Sequence, residues 1–277
     1  MIDRYAVIGN PIAHSRSPEI HAAFARQTKQ LISYERLLAP PDGFEATVTS
    51  FRSNAGLGAN VTVPFKQLAW QLATTCSTRA QLAQAANTLQ FSAQGIFADN
   101  TDGDGLINDL RHNLNYALTG QRILLIGAGG AARGVIAALL EQHPMFLVIA
   151  NRHITRALAL QHQFSHLGIV HACNYAMLSK LSFDCVINAT SASLHGDTPT
   201  LPKQLFAPGS LAYDLMYASQ PTPFMRQALA NGATQTADGL GMLVEQAALS
   251  FYLWRGVKPD TQPILHQLRG TLHTPPC

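Results

Sequence analysis

The feature that most constrains the fold is a strand, a glycine-rich turn, a helix and a second strand that follow one another over about 30 residues. Residues 122–126 read RILLI, a mostly apolar run typical of a strand buried on both faces. After the turn an apolar helix is predicted from Gly134 to Gln142, and a second strand over 146–150. The scale is that of a βαβ unit, which predicts a parallel sheet and therefore an α/β fold.

The turn matches the G-x-G-x-x-G/A fingerprint through Gly127, Gly129 and Ala132. The first glycine permits the tight turn, the second lets a pyrophosphate approach the backbone, and the small third residue lets helix and strand pack closely. A glycine pattern alone is also typical of a structural turn, but its place between a strand and a helix favours dinucleotide binding. The predicted cofactor contacts of the turn are Gly127, Ala128, Gly129, Gly130 and Ala131.

The residues after the second strand indicate which nucleotide is bound. An NAD enzyme usually has Asp or Glu there for the ribose 2′-hydroxyl, whereas an NADP enzyme uses arginine for the 2′-phosphate. The chain has Asn151-Arg152 at this point and Arg156 four residues later, with no acidic residue between Asn151 and Leu160. The same arginines would also suit a solvated helix start, but their place in the motif predicts NADP.

The rest of the chain alternates short strands and helices. In the N-terminal part Ser17 is predicted to cap a helix that runs to about Gln27. Strands are predicted over 5–8, 34–38 and 58–63, helix over 66–86 apart from a polar patch at 74–78, a hairpin over 88–97, and a new helix over 106–114. Further strands are predicted over 185–189 and 211–215, a long helix over 242–254, and one short helix after residue 256.

Composition excludes several classes. Hydrophobic residues make up 47% of the chain and charged residues 13%, which is a globular and not a disordered composition. The net charge is +3 without a run of basic residues, so no nucleic-acid partner is predicted. The most apolar longer stretch, 123–140, holds four glycines and Arg133, and the N-terminus lacks the pattern of a secretory signal, so no membrane association is predicted.

Cysteine and histidine spacing predicts neither disulfides nor a metal site. No two of the four cysteines form a C-x-x-C pair, and they are typical of reduced thiols in a cytoplasmic protein. His162 and His166 have i, i+4 spacing, but the glutamate of the H-E-x-x-H zinc motif is absent. We therefore expect a cytoplasmic protein without a structural metal.

Two polar turns carry candidate chemistry. Ser15 and Ser17 stand two residues apart at a helix start, where both hydroxyls and the helix dipole favour a carboxylate ligand. Taken alone, Ser17 is more typical of a simple helix cap. Asn60 and Thr62 share one face of a predicted strand, and Lys66 follows the end of that strand. A single lysine at a strand end is usually only a surface residue. Asp102 lies in a further turn before a helix and is also typical of a cap.

Together these signals resemble the shikimate dehydrogenase family along nearly the whole chain. Order and spacing both match, so the set is far more specific than any single motif. The matching stretches are GNPIAHSRSP (9–18), NVTVPFK (60–66), ANT (86–88), DNTDG (99–103), GAGGAARG (127–134), NR (151–152), NAT (188–190), DLMY (214–217), TPF (222–224) and GLGMLVEQAA (239–248).

The resemblance implies roles for individual residues. Lys66 and Asp102 would form the catalytic pair, with the choice between them as proton carrier left open. The implied substrate-binding residues are Ser15 and Ser17 for a carboxylate, Asn60, Thr62, Asn87 and Asp102 for ring hydroxyls, and Tyr217 and Gln246 to complete the pocket. The implied cofactor contacts beyond the turn are Asn151, Arg152, Arg156, Thr190, Gly239 and Met242.

The resemblance also implies an architecture and an activity. An N-terminal α/β substrate domain would span 1–103 and be completed by 241–277, whose C-terminal helix packs back on it; a Rossmann-like domain would span 104–240. The implied reaction is the NADP-dependent reversible reduction of 3-dehydroshikimate to shikimate, a step of chorismate and aromatic amino-acid biosynthesis. The alternatives are a quinate/shikimate dehydrogenase that prefers NAD, or a non-catalytic NADP-binding sensor. Oligomeric state stays open, with a homodimer among the expectations.

Three positions depart from the family pattern. Gln84 replaces a small residue three positions before the asparagine of the N-T pair, which affects a turn. His153 replaces the threonine that commonly follows the N-R pair, which bears on 2′-phosphate binding. Asp104 adds a carboxylate next to the predicted catalytic turn.

Overall fold

The computed structural model describes residues 2–190 and 198–272, and these form two six-stranded sheets with helices, the predicted α/β class. The chain divides into two compact units. The first contains the residues up to Gly105 together with Leu243–Gln267. The second contains Leu106–Met242 and the residues from Leu268 onward. In the described ranges, no helix is long and apolar enough to cross a membrane.

The first unit is built on a mixed sheet. Its elements are β1 (Asp3–Gly9), α1 (Ser17–Thr28), β2 (Ile32–Leu38), α2 (Phe44–Ser53), β3 (Gly56–Val61), α3 (Lys66–Leu72), β4 (Thr75–Cys76), α4 (Thr78–Ala83), β5 (Thr88–Ser92), β6 (Gly95–Asp99) and the start of α5 (Asp102–Asn108). The strand order is β2-β1-β3-β5-β6-β4. β2, β1 and β3 are parallel, whereas β5 runs antiparallel to both β3 and β6.

The core of this unit lies between the sheet and the helices that cover it. Ile8, Val61, Phe65 and Leu89 are buried in one apolar cluster. β1 is buried over its last five residues because it is a central strand with covered faces. Because β1 and β3 are neighbouring parallel strands, their carboxyl ends lie side by side, and the turns that follow them are adjacent.

The second unit is a fully parallel sheet flanked by helices. Its elements are a π-helical turn (Asp109–Asn113), β7 (Arg122–Ile126), α6 (Gly130–Leu140), β8 (Phe146–Ala150), α7 (Ile154–Phe164), β9 (Val170–Cys173), a 3-10 helix (Tyr175–Lys180), β10 (Phe183–Asn188), β11 (Phe206–Asp214), α8 (Pro223–Ala230) and β12 (Gln235–Asp238). Two further helices, α9 (Leu240–Arg255) and α10 (Gln262–Leu272), each have residues in both units.

The strand order of the second sheet, β12-β11-β10-β7-β8-β9, is that of a Rossmann-like fold. The chain starts in the middle at β7, winds outward through β8 and β9, and returns through β10 on the other side. The point of reversal lies between β7 and β10, where the turns diverge and leave a crevice at the carboxyl ends of the strands. The glycine-rich turn after β7 is therefore at the place where such folds bind ligands.

Several element boundaries differ from the predictions. Ser17 does not cap α1, because Arg16 occupies the N-cap position and makes no side-chain cap hydrogen bond. The helix predicted from Gly134 begins at Gly130 instead, since Gly129 is extended and forms the N-cap. The helix predicted from residue 106 begins at Asp102. Each of these first turns contains a glycine or a proline, which are poor interior helix formers.

The helix predicted over 66–86, apart from a polar patch at 74–78, is divided into α3 and α4 at that patch. Thr75 and Cys76 between them pair with β6, opposite Phe97 and Ala98. Ser77 then caps α4 by accepting a hydrogen bond from the Ala80 amide. The polar patch was therefore rightly excluded from the helix, but its pairing with β6 depends on a tertiary contact that the sequence did not reveal. The predicted hairpin over 88–97 is confirmed by β5 and β6.

Candidate functional site

Lys66 and Asp102 are brought together in the first unit. Lys66 is the first residue of α3 and Asp102 the first of α5. The lysine Nζ donates to Oδ2 of the aspartate at 2.6 Å. Their side chains are 13% and 5% exposed, so the ion pair is largely shielded from water. A charge-assisted hydrogen bond in such a place is strong and fixes both groups.

Asn87 lies at the centre of the network behind this pair. Its Nδ2 donates to Asp102 Oδ1 at 2.9 Å and to Gln246 Oε1 at 3.0 Å. Its Oδ1 accepts from the Thr101 backbone amide at 2.9 Å. Asn87 is 2% exposed, and a buried amide in this position is bonded on both its donor and its acceptor side. The structure thus joins Asn87, Asp102 and Gln246, three of the residues implied by the resemblance.

Asn60 extends the network from β3. Its Nδ2 donates to the Asn87 backbone oxygen at 3.1 Å and to Ser250 Oγ at 3.0 Å. Its Oδ1 accepts from the Tyr34 hydroxyl at 2.7 Å. With 6% exposure, Asn60 is held in place from both sides. Asn60 is therefore connected to the Lys66–Asp102 pair through Asn87, which binds Asp102.

The two serines of the turn before α1 lie next to each other. Ser15 Oγ donates to Ser17 Oγ at 3.2 Å, and the Ser17 amide donates to Ser15 Oγ at 3.3 Å. This places both hydroxyls on one side of the turn, as the sequence predicted, at the N-terminus of a 12-residue helix. Since Ser17 is not the helix cap, the simple capping interpretation of this residue is wrong.

Thr62 lies just past the end of β3, where the sequence predicted strand. A Cβ added to Gly9 would lie 2.4 Å from Thr62 Cγ2, so the turns after β1 and β3 pack too closely for any side chain at Gly9. Asn10 strengthens this contact by donating its amide to the Val63 oxygen at 3.0 Å. The serine-containing turn and the segment that leads to Lys66 are therefore fixed against each other.

Sequence reasoning missed several residues that build this site. Tyr34 binds Asn60, and its ring stacks on His21 at a centroid distance of 4.2 Å. His21 is fully buried, and burial lowers its pKa to about 3, so the imidazole is neutral. Ser250 contacts Asn60 and Thr88 from α9. None of these residues stands in a recognisable motif, because strand and helix partners far apart in sequence define their roles.

Arg36 was also missed, and it holds the two-serine turn. Its Nε donates to the Ser15 backbone oxygen at 2.9 Å, and its Nη2 bonds Glu19 Oε1 at 2.7 Å. Arg36 stands two residues after Tyr34 on β2, so the two side chains leave the same face of the strand. The sequence did contain one signal for both residues, because Tyr34 and Arg36 alternate along a strand that was predicted.

The glycine-rich turn of the second unit fits a dinucleotide pyrophosphate. Gly127 has φ +114°, and a Cβ there would lie 3.0 Å from the Ala189 oxygen at the end of β10. Beyond its chain neighbours, no atom of the described residues lies within 4 Å of a Cβ built on Gly129. α6 has no side-chain cap hydrogen bond at its N-terminus, so the first-turn amides that follow Gly129 remain available to phosphate oxygens.

Thr190 is positioned by a buried network at the ends of β10 and β11. Its hydroxyl donates to Asn188 Oδ1 at 2.7 Å, and Asn188 Nδ2 donates to Asp214 Oδ1 at 3.0 Å. Asp214 Oδ2 accepts from Thr222, the N-cap of α8, at 2.7 Å. Asn188 and Asp214 are both fully buried. The NAT, DLMY and TPF stretches are thus joined by one set of hydrogen bonds beside the glycine-rich turn.

Asn151, Arg152 and Arg156 lie after β8, at the N-terminal end of α7. The Asn151 amide donates to the Cys173 oxygen at 3.1 Å, and its Oδ1 accepts from the His153 amide at 2.9 Å. Both arginine side chains are exposed. Two guanidinium groups at the carboxyl end of the second strand are of the type that binds a ribose 2′-phosphate.

Gly239 lies where the chain after β12 crosses the end of β11. A Cβ on Gly239 would lie 2.2 Å from the Leu215 oxygen, and its amide donates to the Met216 oxygen at 3.0 Å. This contact brings the segment of Gly239 and Met242 beside the stretch that ends at Tyr217. Met242 is buried, whereas Tyr217 is partly exposed. Over the described ranges, no group of three or more His, Cys, Asp or Glu side chains is arranged to hold a metal ion.

Comparisons with known proteins cover most of the chain. The family model of the shikimate dehydrogenase substrate-binding domain matches residues 7–89, that of shikimate/quinate 5-dehydrogenase matches 109–203, and that of the shikimate 5′-dehydrogenase C-terminal domain matches 239–269. The NADP(+) shikimate dehydrogenase of Nitrosospira multiformis is 56% identical over 99% of this chain and all of its own length. That of Aromatoleum aromaticum is 58% identical over 98% of both chains.

Solved structures agree with these relatives. An Ael1 enzyme from Pseudomonas putida is 48% identical and matches with a TM-score of 0.87 over 96% of this chain and 98% of its own. Shikimate 5-dehydrogenase from Thermus thermophilus, crystallised with NADP(H) and shikimate, is 32% identical and matches with a TM-score of 0.85 over 97% and 99%. The sequence motifs, the two sheets and the relatives agree, and the chain belongs to the shikimate dehydrogenase family.

Proposed function

We propose that this protein catalyses the NADP-dependent, reversible reduction of 3-dehydroshikimate to shikimate, a step of chorismate and aromatic amino-acid biosynthesis. The observation that carries the proposal is the shielded Lys66–Asp102 pair, held by Asn87, in a chain of this family. An ammonium and a carboxylate fixed in a shielded network suit a reaction in which one proton moves to or from a substrate oxygen.

Lys66 is the group that meets the substrate oxygen. In carbonyl reduction negative charge develops on that oxygen, and an ammonium stabilises the charge by donating a hydrogen bond or a proton. Asp102 holds the ammonium by its 2.6 Å hydrogen bond. Asn87 and Gln246, which are bonded to each other, then orient a ring hydroxyl next to the reacting carbon.

The substrate carboxylate is assigned to the two-serine turn. Ser15 and Ser17 offer adjacent hydroxyls at the N-terminus of α1, where the partial positive charge of the helix favours an anion. Asn60, Thr62 and Tyr217 complete the set of proposed substrate contacts. Anchoring the carboxylate at one end of the ring fixes which ring carbon faces Lys66.

NADP is assigned to the second unit. When bound, its nicotinamide supplies the hydride chemistry. The turn residues 127–131 hold the pyrophosphate through backbone amides, and Arg152 and Arg156 with Asn151 hold the 2′-phosphate. Thr190, Gly239 and Met242 are assigned to the rest of the cofactor.

The two compact units support separate domains for substrate binding and cofactor binding. We assign the substrate domain to residues 1–103 completed by 241–277, of which 273–277 lie outside the described residues, and the cofactor domain to 104–240. These bounds lie close to those of the two compact units, except that the residues from Leu268 onward belong to the second unit. A cytoplasmic location and a homodimeric state are carried forward as predictions, testable by cell fractionation and by light scattering of the purified protein.

The test compares two substrates and two cofactors in parallel assays. Purified protein is mixed with shikimate and NADP⁺, and the absorbance of the reduced nicotinamide is followed, with NAD⁺ and quinate in parallel. We expect fast reduction only with shikimate and NADP⁺. Activity mainly with NAD⁺ or quinate would replace the proposal by the quinate/shikimate alternative. Binding of NADP⁺ without turnover of any pair would replace it by the sensor alternative.

A further inference from the structure

The hydrogen bonds around Asp102 continue to an arginine that neither the sequence motifs nor the proposed reaction uses. Arg79 lies in the first turn of α4, with a side chain 35% exposed. Its Nε donates to Asp99 Oδ1 at 2.7 Å and its Nη2 to Asp99 Oδ2 at 2.5 Å. Its remaining nitrogen, Nη1, binds Asp104 Oδ2. One guanidinium thus spans two carboxylates, and these lie three residues before and two residues after Asp102.

Asp99 is connected to Asp102 through Asn100. Oδ1 of Asp99 accepts from the Asn100 amide at 2.7 Å, and Oδ1 of Asn100 accepts from the Asp102 amide at 3.1 Å. Ser77 also donates to Asp99 Oδ1, at 2.5 Å. Asp99, Asn100 and Asp102 are each less than 5% exposed. The backbone of the turn is therefore fixed from α4 through buried bonds and not only by its own conformation.

The charge state of Asp99 is consistent with this role. Burial would raise the pKa of its carboxyl, but hydrogen bonds from Arg79, the charge of Arg79, and bonds from Ser77 and the Asn100 amide outweigh burial and hold the pKa below its ordinary value. Asp99 is consequently an anion at neutral pH. Without Arg79, a buried carboxylate in the turn would lose its counter-ion.

We propose that Arg79 is a positioning residue for the Lys66–Asp102 pair, acting through Asp99 before the pair and through Asp104 after it. The planar guanidinium joins the end of β6 to the first turn of α5 with one rigid group. A lysine cannot replace it fully, because the three donors of an ammonium lie on one nitrogen and do not form a fork. Asp104, which departs from the family pattern, is here the second attachment point of the guanidinium. The proposal rests on the proposed function, since it assumes that the pair is catalytic.

The test compares Arg79→Lys and Arg79→Gln with a matched ion pair elsewhere. Arg122 and Asp184 form a similar two-bond pair with distances of 2.7 Å and 2.9 Å, and Arg122 is 33% exposed. Arg122→Gln therefore controls for the loss of a comparable arginine–aspartate pair in the second unit. All variants are assayed well below their melting temperatures, with rates referred to folded enzyme measured by NADPH binding.

We expect Arg79→Gln to lower kcat about 10- to 100-fold with KM for NADP⁺ unchanged, because a misplacement of about 1 Å in a catalytic group costs up to that much. Arg79→Lys should recover part of the loss. The kinetic isotope effect on kcat with shikimate deuterated at the oxidised carbon should rise, since the chemical step becomes slower relative to product release. Arg122→Gln should leave kcat and the isotope effect unchanged.

Two outcomes overturn the inference. If Arg79→Gln lowers the melting temperature but keeps kcat per folded enzyme within twofold and leaves the isotope effect unchanged, then Arg79 is only structural. If Arg122→Gln slows the reaction as much as Arg79→Gln does, the effect is not specific to the turn. Failure of the proposed function is recognised separately, because wild-type enzyme would then not oxidise shikimate at all.

Discussion

Removal of the Lys66 side chain should separate the chemistry of the site from its stability. Loss of a positioned general acid or base typically lowers turnover 10²- to 10⁴-fold, so Lys66→Ala should lower kcat about 1000-fold, equivalent to about 4 kcal/mol. NADP⁺ affinity should be unchanged because the glycine-rich turn belongs to the other compact unit. Steady-state oxidation of shikimate gives kcat, and quenching of protein fluorescence gives the cofactor affinity.

The structure also sets the expected cost in stability. Lys66→Ala leaves Asp102, 5% exposed, without its cation, and breaking a buried pair costs about 3–5 kcal/mol. Because Asn87 still donates to Asp102 at 2.9 Å, we expect the lower end, about 3 kcal/mol, in urea unfolding. The double variant Lys66→Ala/Asp102→Asn removes the buried charge and should recover stability but not turnover.

A kcat of Lys66→Ala within tenfold of wild type would refute the assignment of Lys66 as the group that meets the substrate oxygen. Recovery of turnover in the double variant would equally contradict it, because the loss would then come from the uncompensated charge and not from the missing ammonium. Loss of NADP⁺ affinity in either variant would show that the two functions are not divided as proposed.

Three further predictions concern other parts of the molecule. Arg152→Gln should raise KM for NADP⁺ about 10- to 100-fold with little change for NAD⁺, since a charge-assisted bond contributes about 1.5–3 kcal/mol; initial rates with both cofactors measure this. Gly105→Ala should destabilise the first unit by about 1–3 kcal/mol in urea unfolding, because the new Cβ would lie 2.6 Å from Gln246 Cβ. Tyr213→Phe removes a 2.5 Å hydrogen bond to the buried Asp109 carboxylate and should cost about 1.5–3 kcal/mol at pH 8.

The pH dependence of the last variant follows from linkage. Burial raises the pKa of Asp109, and the Tyr213 hydroxyl opposes that rise. Tyr213→Phe therefore raises the native-state pKa further, so the native state binds a proton more tightly than the unfolded chain does. Stability then increases as pH falls through the raised pKa, and the cost of the variant should be smaller at pH 5 than at pH 8. A cost that grows as the pH is lowered would contradict this sign.

Controls for the other two predictions are available in the chain. Gly270 lies in α10, and beyond the backbone of its own helix no atom of the described residues lies within 4 Å of an added Cβ. Gly270→Ala should therefore be neutral or stabilising by up to about 1 kcal/mol. Equal losses from Gly105→Ala and Gly270→Ala would show that packing against Gln246 is not the cause. A parallel rise of KM for NAD⁺ in Arg152→Gln would indicate a general loss of cofactor binding and not loss of 2′-phosphate recognition.

Local patterns were sufficient for much of the second unit. The apolar run at 122–126, the glycine-rich turn and the run at 146–150 predicted a parallel βαβ unit, and β7, α6 and β8 confirm it. Parallel strands buried on both faces and a turn that requires positive φ at Gly127 leave a strong local signature. The start of α6 was placed four residues late, because glycine and alanine at a first turn carry no periodic signal.

The first unit was less predictable because its local signals conflict with its pairing. The run at 66–86 has the composition of a helix apart from its polar patch at 74–78, and Thr75 and Cys76 of that patch join the sheet beside β6. α2 was not predicted, although its three buried residues, Phe44, Val48 and Phe51, have the i, i+4, i+7 spacing of one helix face. The strand pairing of Thr75 and Cys76 depends on a tertiary contact that no local window contains, whereas the helix spacing of α2 was present in the sequence and was missed.

The sequence by itself determined the chemical types at the site and their order along the chain. Lys66, Asn87, Asp102 and Gln246 stand in motifs whose spacing is legible without a structure. Only the tertiary structure decided how they are held. Lys66 donates a hydrogen bond to Asp102, which lies 36 positions later in the chain, and Asn87 donates one to Gln246, which lies 159 positions later. Supporting residues such as Arg79 acquire their roles through this folding, because a hydrogen bond depends on distance in space and not on separation along the chain.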